Sequence, residues 1–136
     1  PMGVPGGVGY YNGGAVVTNS TSVITAAGGN PNVVYFDFDS SELDAQDQAV
    51  LNQQAQFLQA NPSARVVIAG YTDERGSREY NLALGERRAQ AAQAYLATSG
   101  VSASRMEAIS YGEDQPADPG HDESAWAKNR RAEISY

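Results

Sequence analysis

From about residue 33 onward, β-branched runs alternate with stretches of helical periodicity, and this alternation leaves few architectures open. Four runs have the composition of strands: "VVYFDFDS", "ARVVIAGYT", "RMEAISYG" and "RRAEISY". Two longer helical stretches separate the first three runs, and a polar, proline-containing loop with the helical turn "AWAKN" precedes the fourth. The predicted order is β-α-β-α-β-(α)-β, an α/β domain with helices packed on a mixed sheet. The order of the strands within the sheet stays open.

Helix-breaking residues mark the ends of the two longer predicted helices. Asn61 and Pro62 stop the first helix, and the second covers roughly Ser77 to Thr98 and stops at Gly100. The first strand is expected to continue through residue 39, with alternating side chains on two faces: Val34, Phe36 and Phe38 on one, and Tyr35, Asp37 and Asp39 on the other.

The first 32 residues differ in character from the rest of the chain. They hold eight of the 14 glycines and three of the six prolines, and no charged side chain occurs before Asp37. Such a segment buries too little apolar surface to offset its ordering entropy. It is predicted to be a flexible tether, with a single domain over residues 33–136. A short strand within residues 15–27, added to the sheet edge, is the alternative.

Charge and cysteine content argue against several functions. The chain has no cysteine, so it forms no disulfide and no thiolate metal site, and no metal or cofactor is predicted. A net charge of −7 with one lysine makes nucleic-acid binding through a basic surface a poor prediction. Nothing resembles a membrane span or a signal peptide. Eight of the nine basic residues are arginines, whose planar guanidinium suits carboxylates.

Arg88 interrupts the apolar stripe of the second predicted helix. With Leu84 set at 0° and about 100° per residue, Arg88 falls at about 40° and Asn81 at about 60°. A guanidinium on the sheet-facing side of a helix must meet an anion or lose much of its solvation energy. Two partners stay open: an internal carboxylate from Asp39 or Asp73, or a carboxylate supplied by a bound ligand.

Asp73 directly follows the second predicted strand, at the kind of edge where α/β layers tend to bind ligands. There Thr72 and Asp73 would lie beside the start of the helix that carries Asn81 and Arg88. The set contains one anion, one cation, an amide and a hydroxyl, which suits a zwitterion with its ammonium on Asp73 and its carboxylate on Arg88. The simpler alternative makes Asp73 a loop or helix N-cap residue.

These residues lie in a longer motif. "GYTDERGSREYNLALGERRA" matches the pattern T/A-D-x-x-G-x-x-x-x-N-x-x-L-G/S-x-x-R-A, and "VYFDFDSSEL" and "SYGEDQPADPGHDESAWAKNRRAEISY" agree with it in order and spacing. From about Val33 to Tyr136 the chain resembles the OmpA-like peptidoglycan-binding domain, and among its members the lipoproteins. It departs at Tyr71, where many relatives have His or Asn.

The resemblance implies non-catalytic binding of peptidoglycan through the zwitterionic end of diaminopimelate in the stem peptide. Asp73 would bind the amine and Arg88 the carboxylate, while the side chain of Asp37 need not be a ligand. The other implied site residues are Thr72, Asn81, Leu84, Phe36, Asp37, Phe38, Asp39, Arg130 and Arg131. Of the arginine pair, Arg131 is slightly favoured.

The resemblance also implies a place in the cell envelope. Lipoprotein members are held at the inner leaflet of the outer membrane, facing the periplasm, by an acylated N-terminal cysteine, so the lipid attachment is expected to lie outside this chain. The implied partners are TolB and other Tol or outer-membrane proteins, in a system of envelope integrity and cell division. The alternative is the peptidoglycan-binding domain of another OmpA-like envelope protein that acts as an interaction hub. Candidate surfaces for contact with TolB and other proteins are the polar face of the second helix (Glu86, Arg87, Gln90, Gln93) and the loop 113–123.

An enzyme is the least favoured interpretation. A cell-wall hydrolase could pair Asp37 with Asp39 or Asp73 with Glu74, but the sequence contains no cysteine, no histidine pair and no nucleophile-elbow serine. The remaining residues of interest are given structural roles: Trp126 in the core, His121 beside a turn, and Glu74, Arg75, Arg78, Glu79, Glu86 and Arg87 on the surface.

Overall fold

The computed structural model describes residues 32–136. Its four strands are β1 (Val33–Tyr35), β2 (Val66–Tyr71), β3 (Met106–Gly112) and β4 (Arg131–Ser135). Its helices are α1 (Ala45–Ala60), α2 (Arg78–Thr98) and α3 (Glu123–Asn129), with a 3-10 turn at Ala103–Arg105. The predicted order of elements is confirmed. The predicted tether lies outside the described residues except for Asn32, and so does the alternative strand within residues 15–27.

The four strands form one mixed sheet in the order β1-β4-β2-β3. Strands β2 and β3 are parallel, and β4 runs antiparallel to both β1 and β2. The last strand therefore lies between the first two, which is a long-range pairing that no local pattern indicates. This arrangement brings the start of β4 beside the ends of β1 and β2, where the polar motif lies.

Helices α1 and α2 cover one face of the sheet and enclose the core. The largest fully buried apolar side chains come from β1, α1, β2 and α2: Val34, Val50, Leu51, Leu58, Val66, Ile68 and Leu96. Helix α2 lies unusually close to β2, because a Cβ added to Gly70 would lie 1.7 Å from the carbonyl oxygen of Gly85. Two glycines thus let α2 press its buried side against the end of β2.

Local capping explains where the helices begin and end. The Asp44 side chain accepts a hydrogen bond from the Asp47 backbone and the Asp47 side chain accepts one from the Asp44 backbone, which is a capping box for α1. Ser77 caps α2 by accepting from Tyr80. The helix ends predicted from Asn61-Pro62 and Gly100 are confirmed, and Gly100 has a positive φ of 99°. No helix within residues 32–136 has the length and apolarity that crossing a membrane requires.

Strand β1 is shorter than predicted. The chain leaves the sheet after Tyr35, and Asp39 adopts a positive φ of 57°. Phe38, which was expected to share a strand face with Val34, is 58% exposed, whereas Val34 is fully buried. The expectation failed because the backbone carbonyls of Phe36, Asp37 and Ser40 accept hydrogen bonds from arginine side chains of other elements, a tertiary effect that alternation cannot indicate.

Candidate functional site

A pocket of about 200 Å³ opens where the segment after β1, the end of β2 and the first half of α2 meet. Its lining consists of Phe38, Asp39, Asp73, Arg75, Gly76, Tyr80, Asn81, Leu84 and Arg88. Six of the residues implied for the site are in this lining: Phe38, Asp39, Asp73, Asn81, Leu84 and Arg88. The close approach of α2 to β2 carries Asn81, Leu84 and Arg88 into it.

Arg88 is 1% exposed and forms the floor of this arrangement. Its Nε donates to the carbonyl of Ser40 at 2.8 Å, Nη1 to that of Tyr71 at 2.9 Å and Nη2 to that of Asp37 at 3.0 Å. Within residues 32–136, no carboxylate lies close enough to form an ion pair with it. The alternative of an internal salt bridge is therefore wrong, because all three hydrogen bonds of the guanidinium go to backbone carbonyls.

The environment of Arg88 leaves room for an anion. A guanidinium has five N–H groups, and the three bonds to carbonyls use one on each nitrogen. Burial lowers the pKa of Arg88 to about 10, opposed by the negative charge of Asp73. The side chain is therefore still charged at neutral pH. The result is a buried cation at a pocket with two N–H groups beyond those bound to carbonyls.

Asp73 supplies a buried negative charge to the pocket and is 4% exposed, in addition to Asp39 in the same lining. Burial by itself raises the pKa of its carboxyl, but hydrogen bonds and charge from Arg75, together with the charge of Arg130, outweigh burial and leave the pKa below its ordinary value. Ser77 is the N-cap of α2, so the alternative that Asp73 caps this helix is wrong. Asp73 is a buried, ionised loop residue at the end of β2.

Asn81 and Thr72 hold the loop that carries Asp73. The Asn81 amide donates to the carbonyl of Arg75 at 3.0 Å and to Oε1 of Glu113 at 2.7 Å. The Thr72 hydroxyl donates to the carbonyl of Asp73 at 2.9 Å, and its backbone N–H bonds to β3. Thr72 is buried and absent from the pocket lining, so its part in the site is positional.

The segment after β1 closes the pocket from the other side. Phe38 and Asp39 line it, and the Tyr80 hydroxyl donates to the Asp39 carboxylate. Phe36 is 4% exposed and lies beneath, with the Arg88 guanidinium 5.3 Å from its ring centroid. Asp37 takes part through its backbone carbonyl, while its side chain does not line the pocket.

The two consecutive arginines near the C-terminus lie in different places. Arg130 donates to the carbonyl of Phe36 at 2.8 Å, and its Nη1 lies 3.6 Å from Oδ2 of Asp73. Arg131 instead stacks 3.8 Å from the ring centroid of Tyr71 and pairs with Glu133 at 2.6 Å. Successive residues at a strand start point to opposite faces, so only Arg130 approaches Asp73, and neither arginine is part of the pocket lining. The preference for Arg131 over Arg130 does not agree with this placement.

Sequence reasoning missed Arg75, which was expected on the surface. Arg75 lines the pocket, and its Nη2 lies 2.7 Å from Oδ2 of Asp73. Its guanidinium lies between two aromatic rings, 4.0 Å from the centroid of Phe38 and 4.1 Å from that of Trp126. Only its position two residues after Asp73 could have indicated this, because Trp126 is distant in sequence.

Trp126 is therefore not a core residue, and the expectation that placed it there is wrong. Its ring is half-buried against Arg75, and its indole N–H donates to Oε2 of Glu74 at 2.9 Å. His121 is exposed, and its Nδ1 lies 2.9 Å from the same carboxylate. These contacts tie α3 to the loop after β2 and form an outer wall beside the pocket.

The described residues do not support the catalytic alternatives. Asp37 and Asp39 do not share a strand face, because β1 ends before them. Asp73 is paired with Arg75, whereas Glu74 points to Trp126 and His121. Within residues 32–136, no group of three or more His, Cys, Asp or Glu side chains is placed to hold a metal ion.

The fold and the pocket define a class of protein. Residues 35–130 match the OmpA family, and the chain belongs to that family. The resemblance seen in the sequence motifs is confirmed, as is the predicted fold of three helices on a four-stranded mixed sheet.

Two relatives and one solved structure show which members of the family the chain is similar to. The chain is 50% identical over 105 residues to the peptidoglycan-associated lipoprotein of Pasteurella multocida, covering 77% of this chain and 70% of the relative. It is 53% identical over 100 residues to the protein of the same name from Pseudomonas putida, covering 74% of this chain and 60% of the relative. The crystal structure of the peptidoglycan-associated lipoprotein from Burkholderia pseudomallei has a TM-score of 0.76 at 50% identity, covering 77% of this chain and 89% of that one.

Proposed function

We propose that this domain binds peptidoglycan non-covalently and without catalysis, through the zwitterionic end of diaminopimelate in the stem peptide. The observation that carries the proposal is Arg88: a buried, charged guanidinium that lines a pocket and is held by carbonyls instead of a carboxylate. A buried charge without an ionic partner costs stability, and a ligand carboxylate would supply the missing anion.

Asp73 suits the other half of the zwitterion. It lines the same pocket as Arg88, and its lowered pKa keeps it ionised at neutral pH. The end of the diaminopimelate side chain carries an ammonium and a carboxylate on one carbon. With that carbon between Asp73 and Arg88, the ammonium can face Asp73 and the carboxylate can face Arg88. Phe38 and Leu84 offer apolar surface in the same lining for the methylene groups.

The names of the relatives support an envelope role. They are called peptidoglycan-associated lipoproteins, and we infer the same association for this chain. It would face the periplasm, held at the inner leaflet of the outer membrane by a lipid, and so join that membrane to the cell wall. TolB and other Tol proteins are the proposed partners, in a Tol-Pal-type system of envelope integrity and cell division.

The proposal is tested by sedimentation with diaminopimelate-containing sacculi. Asp73→Asn and Arg88→Met should remain in the supernatant under conditions in which the parent sediments. Arg78→Met is the matched control, because Arg78 is an exposed α2 arginine paired with Asp114 outside the pocket. Circular dichroism checks that each variant is folded. If both site variants sediment like the parent, the zwitterion proposal fails.

Ligand chemistry gives an independent test. A stem peptide with lysine in place of diaminopimelate keeps the distal ammonium and lacks the distal carboxylate. Arg88 would then lose its partner, and we expect binding to weaken by about 2–5 kcal/mol. Equal affinity for the two peptides would contradict the proposal, and release of reducing ends from sacculi would contradict the absence of catalysis.

A further inference from the structure

Arg75 is already hydrogen-bonded to the Asp73 carboxylate, to which the ammonium of the proposed ligand would bind. Its backbone N–H donates to Oδ1 of Asp73 at 3.0 Å, its Nε to the same oxygen at 3.2 Å and its Nη2 to Oδ2 at 2.7 Å. A carboxylate offers about four acceptor sites, and Arg130 stands 3.6 Å from Oδ2. A ligand ammonium that approached Asp73 would therefore meet a cation already in place.

The Arg75 side chain is held there by more than Asp73. Its guanidinium lies between the rings of Phe38 and Trp126, at 4.0 and 4.1 Å from their centroids. Stacking of arginine on aromatic rings adds to the stability of this position. The guanidinium, the two rings and the Asp73 carboxylate thus form one connected unit at the mouth of the pocket.

We propose that Arg75 is the resident counter-ion of Asp73 and that a ligand ammonium binds by displacing the Arg75 guanidinium from this carboxylate. The inference rests on the proposed function, whose ligand carries that ammonium. It makes Arg75 a residue that determines specificity, because only ligands that use Asp73 must displace it. A ligand that contacts Arg88 alone leaves Arg75 in place.

The surroundings allow the displacement. The Arg75 side chain is 33% exposed, so it can move without opening the core, whereas that of Asp73 is 5% exposed. A second acceptor stands nearby, since Oε1 of Glu123 lies 4.0 Å from Nη2 of Arg75 and the Glu123 side chain is 68% exposed. On leaving Asp73 the guanidinium can shift toward Glu123, which changes its stacking on Trp126.

Binding by Arg75→Met tests the inference, because methionine keeps an unbranched chain between the rings and removes the charge. The ligands are stem tripeptides that end in diaminopimelate or in 2-aminopimelate, which keeps the distal carboxylate and lacks the distal amine. We expect Arg75→Met to bind the diaminopimelate peptide about tenfold more tightly than the parent does, and to bind the 2-aminopimelate peptide with unchanged affinity. Arg78→Met should match the parent for both peptides. Weaker binding by Arg75→Met, or an equal change for both peptides, would overturn the inference.

Tryptophan fluorescence gives a second measurement that is independent of affinity. Trp126 is the only tryptophan in the chain, so the emission reports the surroundings of this one ring. The diaminopimelate peptide should change the tryptophan emission of the parent, while the 2-aminopimelate peptide should leave it unchanged. In Arg75→Met the emission should already differ from that of the unliganded parent, and the diaminopimelate peptide should add little. Parent emission that stays constant at saturation with the diaminopimelate peptide would contradict the displacement.

The two proposals fail in different ways. If the diaminopimelate peptide binds neither the parent nor Arg75→Met, the proposed function itself is wrong and the role of Arg75 falls with it. If the peptide binds both with equal affinity and without a change in emission, the proposed function stands and the displacement of Arg75 is wrong.

Discussion

Arg88 and Arg131 are both buried, at 1% and 5% exposure, yet they are stabilised in different ways. Arg131 pairs with the Glu133 carboxylate at 2.6 Å, stacks on Tyr71 and donates to two carbonyls. Arg88 donates to three carbonyls and meets no carboxylate within residues 32–136. The charge of Arg131 is neutralised within the protein, whereas we propose that Arg88 meets its carboxylate on a ligand.

Under the proposed function, this difference separates a structural arginine, Arg131, from a ligand-binding one, Arg88. Burial alone does not distinguish the two, and neither does the number of hydrogen bonds. What distinguishes them is whether the protein supplies the counter-ion. Arg130 is intermediate, since it pairs with the exposed Glu123 and also stands near Asp73.

The largest expected effect is that of Arg88→Met. Three carbonyls lose their donor, and we expect the free energy of unfolding to fall by about 2–3 kcal/mol. The diaminopimelate peptide should bind at least about thirtyfold more weakly. Urea unfolding and calorimetric titration measure the two effects. An affinity equal to that of the parent would show that Arg88 is as structural as Arg131.

Arg131→Met should affect stability and leave binding alone. Glu133 loses its partner, but its side chain is 42% exposed and can be hydrated, so we expect a loss of about 1–2 kcal/mol. The affinity of the folded protein for the diaminopimelate peptide should stay within about twofold of the parent value. A loss of affinity comparable to that of Arg88→Met would remove the contrast between the two arginines.

The pH dependence of binding should follow Asp73 on the acid side. Because the pKa of Asp73 lies below its ordinary value of 3.8, the carboxylate stays ionised as pH falls from 8 to 5. The stability that its pairing contributes is present above the unfolded pKa and is lost as pH falls through the folded one. The affinity for the diaminopimelate peptide should therefore change little between pH 8 and 5, which binding titrations across that range would check. A loss of affinity above pH 5 would mean that the ligand ammonium binds a group other than Asp73.

The smallest effect is expected from Glu123→Gln. This substitution removes the exposed carboxylate partner of Arg130, while the bond from Arg130 to the carbonyl of Phe36 remains. Stability should fall only slightly, because exposed ion pairs contribute little. Thermal unfolding measures the change, and a much larger loss would place Arg130 with Arg131 among the arginines that depend on an internal carboxylate.

Signals within a few residues indicated most of the fold. Ser77 begins α2, Asn61-Pro62 ends α1 and Gly100 follows α2, and each acts through local backbone chemistry that a sequence displays. Arg88 was recognisable because helical periodicity places it among apolar residues. Its burial agrees with that reading.

Contacts between distant residues were beyond sequence reasoning. Strand β1 ends early because carbonyls after Tyr35 bind Arg88 and Arg130, which are contributed by other elements. The stacking of Arg75 between Phe38 and Trp126 joins three separate segments, so no local pattern indicates it. The same holds for the position of β4 between β1 and β2.

The most direct test of the central claim is a cycle that pairs a change in the protein with a change in the ligand. NMR titrations, which can follow millimolar affinities, would measure how tightly the parent and Arg88→Met each bind two stem tripeptides, one ending in diaminopimelate and one in lysine. If Arg88 binds the distal carboxylate, replacing diaminopimelate by lysine should cost the parent at least about thirtyfold in affinity and Arg88→Met threefold or less. The same loss in both proteins would contradict the claim that Arg88 awaits its counter-ion from the ligand.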